Sequence, residues 1–193
     1  MEKELKYVDL VEQPISMHPK KFALWLFMVT VVMIFAALTS AYIVRQAEGN
    51  WLEYELPDIF WVTSGIVLLS SISLQWSYFS AKKDNFISLR IGMLLTVILG
   101  IAFLVGQWYS WVALVDRDVF FVGTPAGSFL YVFTGLHAVH LISGVIFLII
   151  VLISTFRLKV HSKALNTMEM ATTYWHFLGG LWLYLFMFLL LNH

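Results

Sequence analysis

Three histidines lie where ionisable side chains are rare. His137 and His140 are three residues apart inside a long apolar run, so on a helix they share one face. Thr134 joins that face, and Gln107 sits in the apolar run before it. His176 lies in a later run, with Glu169 just ahead of it. Imidazoles at such depth suit three kinds of chemistry: ligation of haem or a metal ion, a proton or lipid pathway, or hydrogen bonds that join neighbouring helices.

Depth argues against the first kind. His140 is about 14 residues, roughly 21 Å, from the end of its run, whereas His176 is about 5 residues, roughly 7–8 Å, from the same membrane surface. A gap of about 13 Å is too large for two rings on one iron. His137 and His140 project from one face of one helix, so they do not clamp a haem from both sides. Two ligands at this spacing also lack the third and fourth that zinc takes. His18 and His161 fall in polar segments, and His193 is the last residue. No carboxylate occurs in the interior of the apolar runs, which argues against a complete proton wire and against ion-coupled transport. Hydrogen bonding between helices and a polar face in a proton or lipid pathway both remain. The chain has no cysteine, which removes disulfides, thiolate nucleophiles and Cys-ligated metals together.

The elements that must position these residues follow from composition. The chain has 193 residues, 60% of them apolar, 17% aromatic and only 12% charged. Soluble domains run near about a quarter charged, so a soluble enzyme, a nucleic-acid binder and a disordered chain are excluded as classes. The formal net charge is zero, so no basic field draws in phosphates. Five apolar runs, at about 22–44, 57–79, 89–112, 127–154 and 171–191, are each long enough to cross roughly 30 Å of hydrocarbon. They lack the alternation of barrel strands. The sequence therefore predicts an all-α, integral membrane five-helix transmembrane bundle over 22–193, after an N-terminal tail over 1–21.

Orientation follows from the basic residues. Lys3, Lys6, Lys20, Lys21, Lys82, Lys83, Arg90, Arg157, Lys159 and Lys163 fall on one side, and only Arg45 and Arg117 on the other. The positive-inside rule puts the N-terminus in the cytoplasm and the C-terminus outside. The first run is too long, and starts too late, for a cleaved signal peptide. Trp25, Trp76, Trp61 and Trp108 fall near the ends of runs, where an aromatic belt is expected. Short loops leave no room for a soluble domain, and no internal repeat is present. Small residues recur at helical spacing, as in Gly92, Thr96 and Gly100, and in Ala36 with Ser40; they mark close helix contacts within the bundle or with a partner chain.

Several stretches resemble a known family. Gly127-Ser128-Phe129, followed by Thr134-Gly135-Leu136-His137-Ala138-Val139-His140 and Gly144, is similar to G-S-x-F … T-G-F-H-G-x-H-x-x-x-G. Tyr174-Trp175-His176-Phe177 with Trp182 resembles Y-W-H-F-V-D-x-x-W, and Glu169 stands five residues before Tyr174, as in that family. Leu99-Gly100, Phe103 and Gln107 match L-G-x-x-F-x-x-x-Q. This is the pattern of subunit III of haem–copper respiratory oxidases, such as cytochrome c oxidase, and it covers nearly all of the chain after Phe22. Family members commonly have seven helices; this chain resembles the last five, a shorter form also found in the family. Three acidic positions of the pattern are occupied otherwise here, by Val31, Ser110 and Gly179.

The resemblance implies a non-catalytic subunit in the bacterial inner membrane. It implies no cofactor in this chain, with haem and copper in partner subunits, and bound phospholipid. The partners implied are oxidase subunit I, the other oxidase subunits and membrane lipids, with no nucleic acid. The role implied is support of proton uptake and of the stability of a complex that reduces dioxygen to water in the aerobic respiratory chain. No catalytic or metal-ligating residue is assigned. Thr134, Gln107, His137, His140, His176 and Glu169 are expected to hold a polar interior together. Arg157, His161, Glu169 and His176 are candidates for a lipid headgroup, because they cluster near the basic surface. A related accessory subunit of a quinol oxidase or nitric oxide reductase is a second reading. A small haem-binding electron carrier is a third, and a small transporter a fourth.

Overall fold

A computed structural model describes residues 18–49, 51, 56–157 and 165–192. Five helices account for nearly all of them: α1 (Pro19–Ala47), α2 (Ile59–Lys82), α3 (Phe86–Val115), α4 (Pro125–Phe156) and α5 (Asn166–Leu191). All five are long and apolar enough to cross a membrane. Each runs a little beyond its apolar stretch at one end or both, because the polar flanking turns are helical too, although α2 begins only at Ile59, past Pro57 and Asp58. Lys20 and Lys21, assigned to the tail from composition, thus form the first turn of α1.

Local chemistry sets the ends. His18 caps α1 by accepting from the Lys20 N–H, with Pro19 at the first helical position. Thr124 caps α4 by accepting from the Gly127 N–H at 3.3 Å, again ahead of a proline. The α2–α3 and α3–α4 connections share one stop. Asp84 and Asp118 adopt left-handed φ of 51° and 58°. The next residue's N–H then returns to a carbonyl of the last turn, Asn85 to Ser80 and Val119 to Leu114, each at 3.0 Å.

α2, α3, α4 and α5 form a closed ring in which each packs on two neighbours, while α1 lies outside it against α4 and α5. Of the most apolar window of α1, 22% is buried, against 39–44% in the other four helices, which marks it as peripheral. It contributes a single buried stripe, Met28, Val31, Phe35, Thr39 and Tyr42. The outer surface is apolar, with exposed residues such as Leu94, Ile98, Ile146 and Ile150. Backbone polar groups are satisfied within the helices, as lipid requires.

The closest approach is between α2 and α3. A Cβ at Gly92 would lie 2.8 Å from the Ser77 Cβ, so glycine is what allows the contact. The contact is fixed by hydrogen bonds, from Ser73 to the Gly92 carbonyl at 3.0 Å and from Ser77 to the Leu89 carbonyl at 2.9 Å. Gly100 likewise leaves room for the Trp175 ring, which a Cβ there would meet at 2.7 Å.

Candidate functional site: a polar interior

His137 and His140 share a helix face, but α4 aims them at different surroundings. His137 is fully buried inside the ring. It meets the Phe103 ring at 6.0 Å edge-on and the Trp182 ring at 5.3 Å. Neither ring nitrogen has a protein hydrogen-bond partner. His140 is half-buried on the side that carries α1, against Phe27 at 6.2 Å and Phe35 at 5.9 Å. Its Nδ1 lies 2.7 Å from the Leu136 carbonyl, a distance at which Nδ1–H donates.

Thr134 joins α3 to α4. Its hydroxyl accepts from the Trp111 indole N–H at 2.9 Å and donates to the Leu130 carbonyl at 2.8 Å. Gln107 is buried, and neither its amide oxygen nor its nitrogen is paired.

His176 faces α2, with Nε2 3.1 Å from the Gln75 amide oxygen. Two further bonds close the same seam: Trp175 N–H donates to Ser70 and Trp182 N–H to Ser64, each at 3.0 Å. Tyr174 turns to the α4 side, where its hydroxyl meets that of Ser143 at 2.7 Å.

Glu169 gathers three helices at one end of the bundle. Lys21 of α1 donates to its Oε2 at 2.5 Å, and Tyr78 of α2 donates to its Oε1 at 3.2 Å. Lys82 covers the Tyr78 ring at 4.6 Å from its centroid.

Among the described residues, then, Thr134, His176 and Glu169 each hydrogen-bond to another helix, while His140 bonds its own helix and meets α1 only through ring contacts. Gln107 and His137 sit in the interior without partners. Of the residues expected to cluster at a headgroup, Glu169 joins Lys21 and Tyr78. His176 lies deeper, on Gln75, and Arg157 stands exposed at the end of α4. His161 lies outside the described residues. Sequence reasoning missed Lys21, Tyr78, Gln75, Ser64 and Ser70. A signal was present in α2, where Ser70, Ser73, Ser77 and Ser80 recur every three or four residues on one face.

Alongside α1 and α5, a 140 Å³ hollow lined by Lys21, Trp25, Glu169 and Thr173 opens at this same end. Further along the seam lies an apolar hollow of 420 Å³, lined by Val32, Phe35, Ala36, Phe177, Gly180 and Tyr184. Among the described residues, no three metal-ligating side chains converge.

Comparison with known proteins places this architecture. A family model described as cytochrome c oxidase subunit III matches residues 53–192. The chain belongs to the cytochrome c oxidase subunit III family. Relatives of the family extend over most of their own lengths. The chain is 32% identical over 161 residues to a probable cytochrome c oxidase subunit 3 of Nocardia farcinica, covering 80% of this chain and 79% of that one. It is 29% identical over 163 residues to a cytochrome c oxidase subunit 3 of Corynebacterium diphtheriae, with the same coverage. It is 26% identical over 177 residues to a cytochrome bo(3) ubiquinol oxidase subunit 3 of Buchnera aphidicola, covering 90% of this chain and 94% of that protein. As a member of the family, the chain is a subunit III of the haem–copper oxidase type.

Proposed function

We propose that the chain is the non-catalytic subunit III of a bacterial terminal oxidase, packed on the haem–copper subunit I. In this reading it holds phospholipid and supports proton uptake and the stability of the complex. The family match over 53–192 is the observation that carries it. The polar residues fit such a role, since His140, His176, Thr134 and Glu169 are engaged with the chain's own groups. An apolar exterior fits a chain surrounded by lipid and other membrane subunits.

For lipid, the α1–α5 seam is the favoured place. Lys21 and Glu169 stand at its polar mouth and the apolar hollow continues below. That pairing of cation and anion suits a zwitterionic headgroup, and among the headgroup candidates it favours Glu169 over His176.

The orientation proposed has the N-terminus in the cytoplasm of a bacterial inner membrane. Lys20, Lys21, Lys82, Lys83 and Arg90 share one end of the bundle, as the positive-inside rule requires. The native chain has no cysteine, so single cysteines placed at Lys83 and Asp118 give a clean test. A membrane-impermeant thiol reagent added to intact cells labels the cysteine at 118 and spares the one at 83.

Purification in mild detergent with mass identification of co-purifying chains tests the whole reading. A haem–copper subunit is expected among them. His137→Ala is expected to loosen the complex and leave its haem absorption bands unchanged. Isolation of this chain alone with its own haem band would instead favour the electron-carrier reading. A ubiquinol oxidase subunit among the relatives keeps a quinol oxidase as the second reading, distinguished by the same partner identification.

A further inference from the structure

Gln107 and His137 pose a problem that most buried polar side chains of the described residues have solved. Both side chains are buried, at 1% and 0% exposure, and all four of their polar atoms lack a protein partner. Buried polar groups left unpaired are rare in folded proteins, and more unfavourable inside a membrane than elsewhere. The two groups are neighbours by register. On α3, Gln107 lies one turn from Phe103 and one turn from Trp111. On α4, the Phe103 ring meets His137, and the Trp111 indole meets Thr134 one turn before it. Gln107 therefore stands level with the turn that joins Thr134 to His137.

Nearby protein groups are already committed. The Trp111 N–H is bound to Thr134, the Trp182 N–H to Ser64, and the Ser110 hydroxyl to the Gly106 carbonyl. What remains is an amide with a donor and an acceptor, and an imidazole whose neutral form also has one of each. Two neutral groups fall short of the three or four ligands a metal site takes and carry no charge to hold an anion. Such a set matches a small neutral molecule that both donates and accepts. We propose that Gln107 and His137 form a built site for ordered water, held between α3 and α4 and bridging the amide to the imidazole. The Phe103 and Trp182 rings pack on His137 beside this site. The bridge fixes the register of α3 on α4 beside the Thr134–Trp111 bond. It does not depend on the oxidase reading, because it concerns only this chain's interior.

The test uses the full chain in the complex with which it purifies. An electron cryomicroscopy map fine enough to show ordered water is expected to contain density within hydrogen-bond distance of both side chains. Direct amide–imidazole contact, or no density between them, overturns the proposal. In the same complex, Gln107→Leu and His137→Leu are each expected to lower the midpoint of heat-induced loss of this chain. The double variant is expected to lower it by less than the sum, because the water leaves together with its partners. Strict additivity of the two shifts overturns a shared site.

Discussion

His137 and His140 differ by three positions and by one decision of the helix surface. One ring enters the ring of four helices, the other leans on α1. Their common face was legible from spacing, but their separate surroundings depend on where α1 docks, which no local pattern encodes. The same holds for Glu169, whose ion-pair partner Lys21 is 148 residues away. At His176 the expected consequence is quantitative. His176→Leu leaves the Gln75 amide without its partner on α5, and hydrogen bonds between membrane helices contribute about 0.6 kcal/mol on average and up to about 1.7. A double-mutant cycle of His176→Leu and Gln75→Leu, read from unfolding in detergent, should return a coupling energy in that range. A coupling indistinguishable from zero would mean that the bond contributes nothing. Glu169→Ala removes the bonds to both Lys21 and Tyr78. Amide exchange in the first turns of α1 should then quicken, while exchange in α3 stays as it was.

Helices α2 and α3 touch more closely than any other feature of the sequence announced. Gly92 was recognisable as part of a small-residue face with Thr96 and Gly100. That its partner would be the serine stripe of α2 was not, because serine reads equally well as packing or as solvent contact. Gly92→Val should separate the two helices, since even its Cβ meets Ser77 at 2.8 Å, and overpacking of this kind costs about 1–3 kcal/mol. Gly135→Ala serves as the control, because nothing lies within 4 Å of a Cβ there. Thermal midpoints of the two variants in one detergent should differ in that order. The turns make a parallel case. Asp118 holds a left-handed φ of 58°, so Asp118→Val should destabilise by roughly 1–2 kcal/mol. Asp118→Gly should be neutral or better, and chemical denaturation of the two variants compares them directly. Five helices were legible from composition and run length, because lipid imposes so strong a constraint on backbone. Their ends were not, because polar turns such as Lys20–Lys21 stay helical beyond the apolar stretch.

On the scale of the whole molecule, four helices close on one another and the remaining one rests on two of them. α1 precedes the other four described helices in the chain, yet both of its neighbours, α4 and α5, are the last two of the five. Between those moments the groups that later bond Thr39 and Tyr42, the Tyr184 hydroxyl and the Asn192 carbonyl, have not yet been made. A nascent chain arrested before Pro125 should therefore carry α1 unseated, and crosslinks from α1 should reach α4 only once synthesis has passed Phe156. The order of manufacture and the order of closure run out of step, so α1 waits longer than the other described helices for its place.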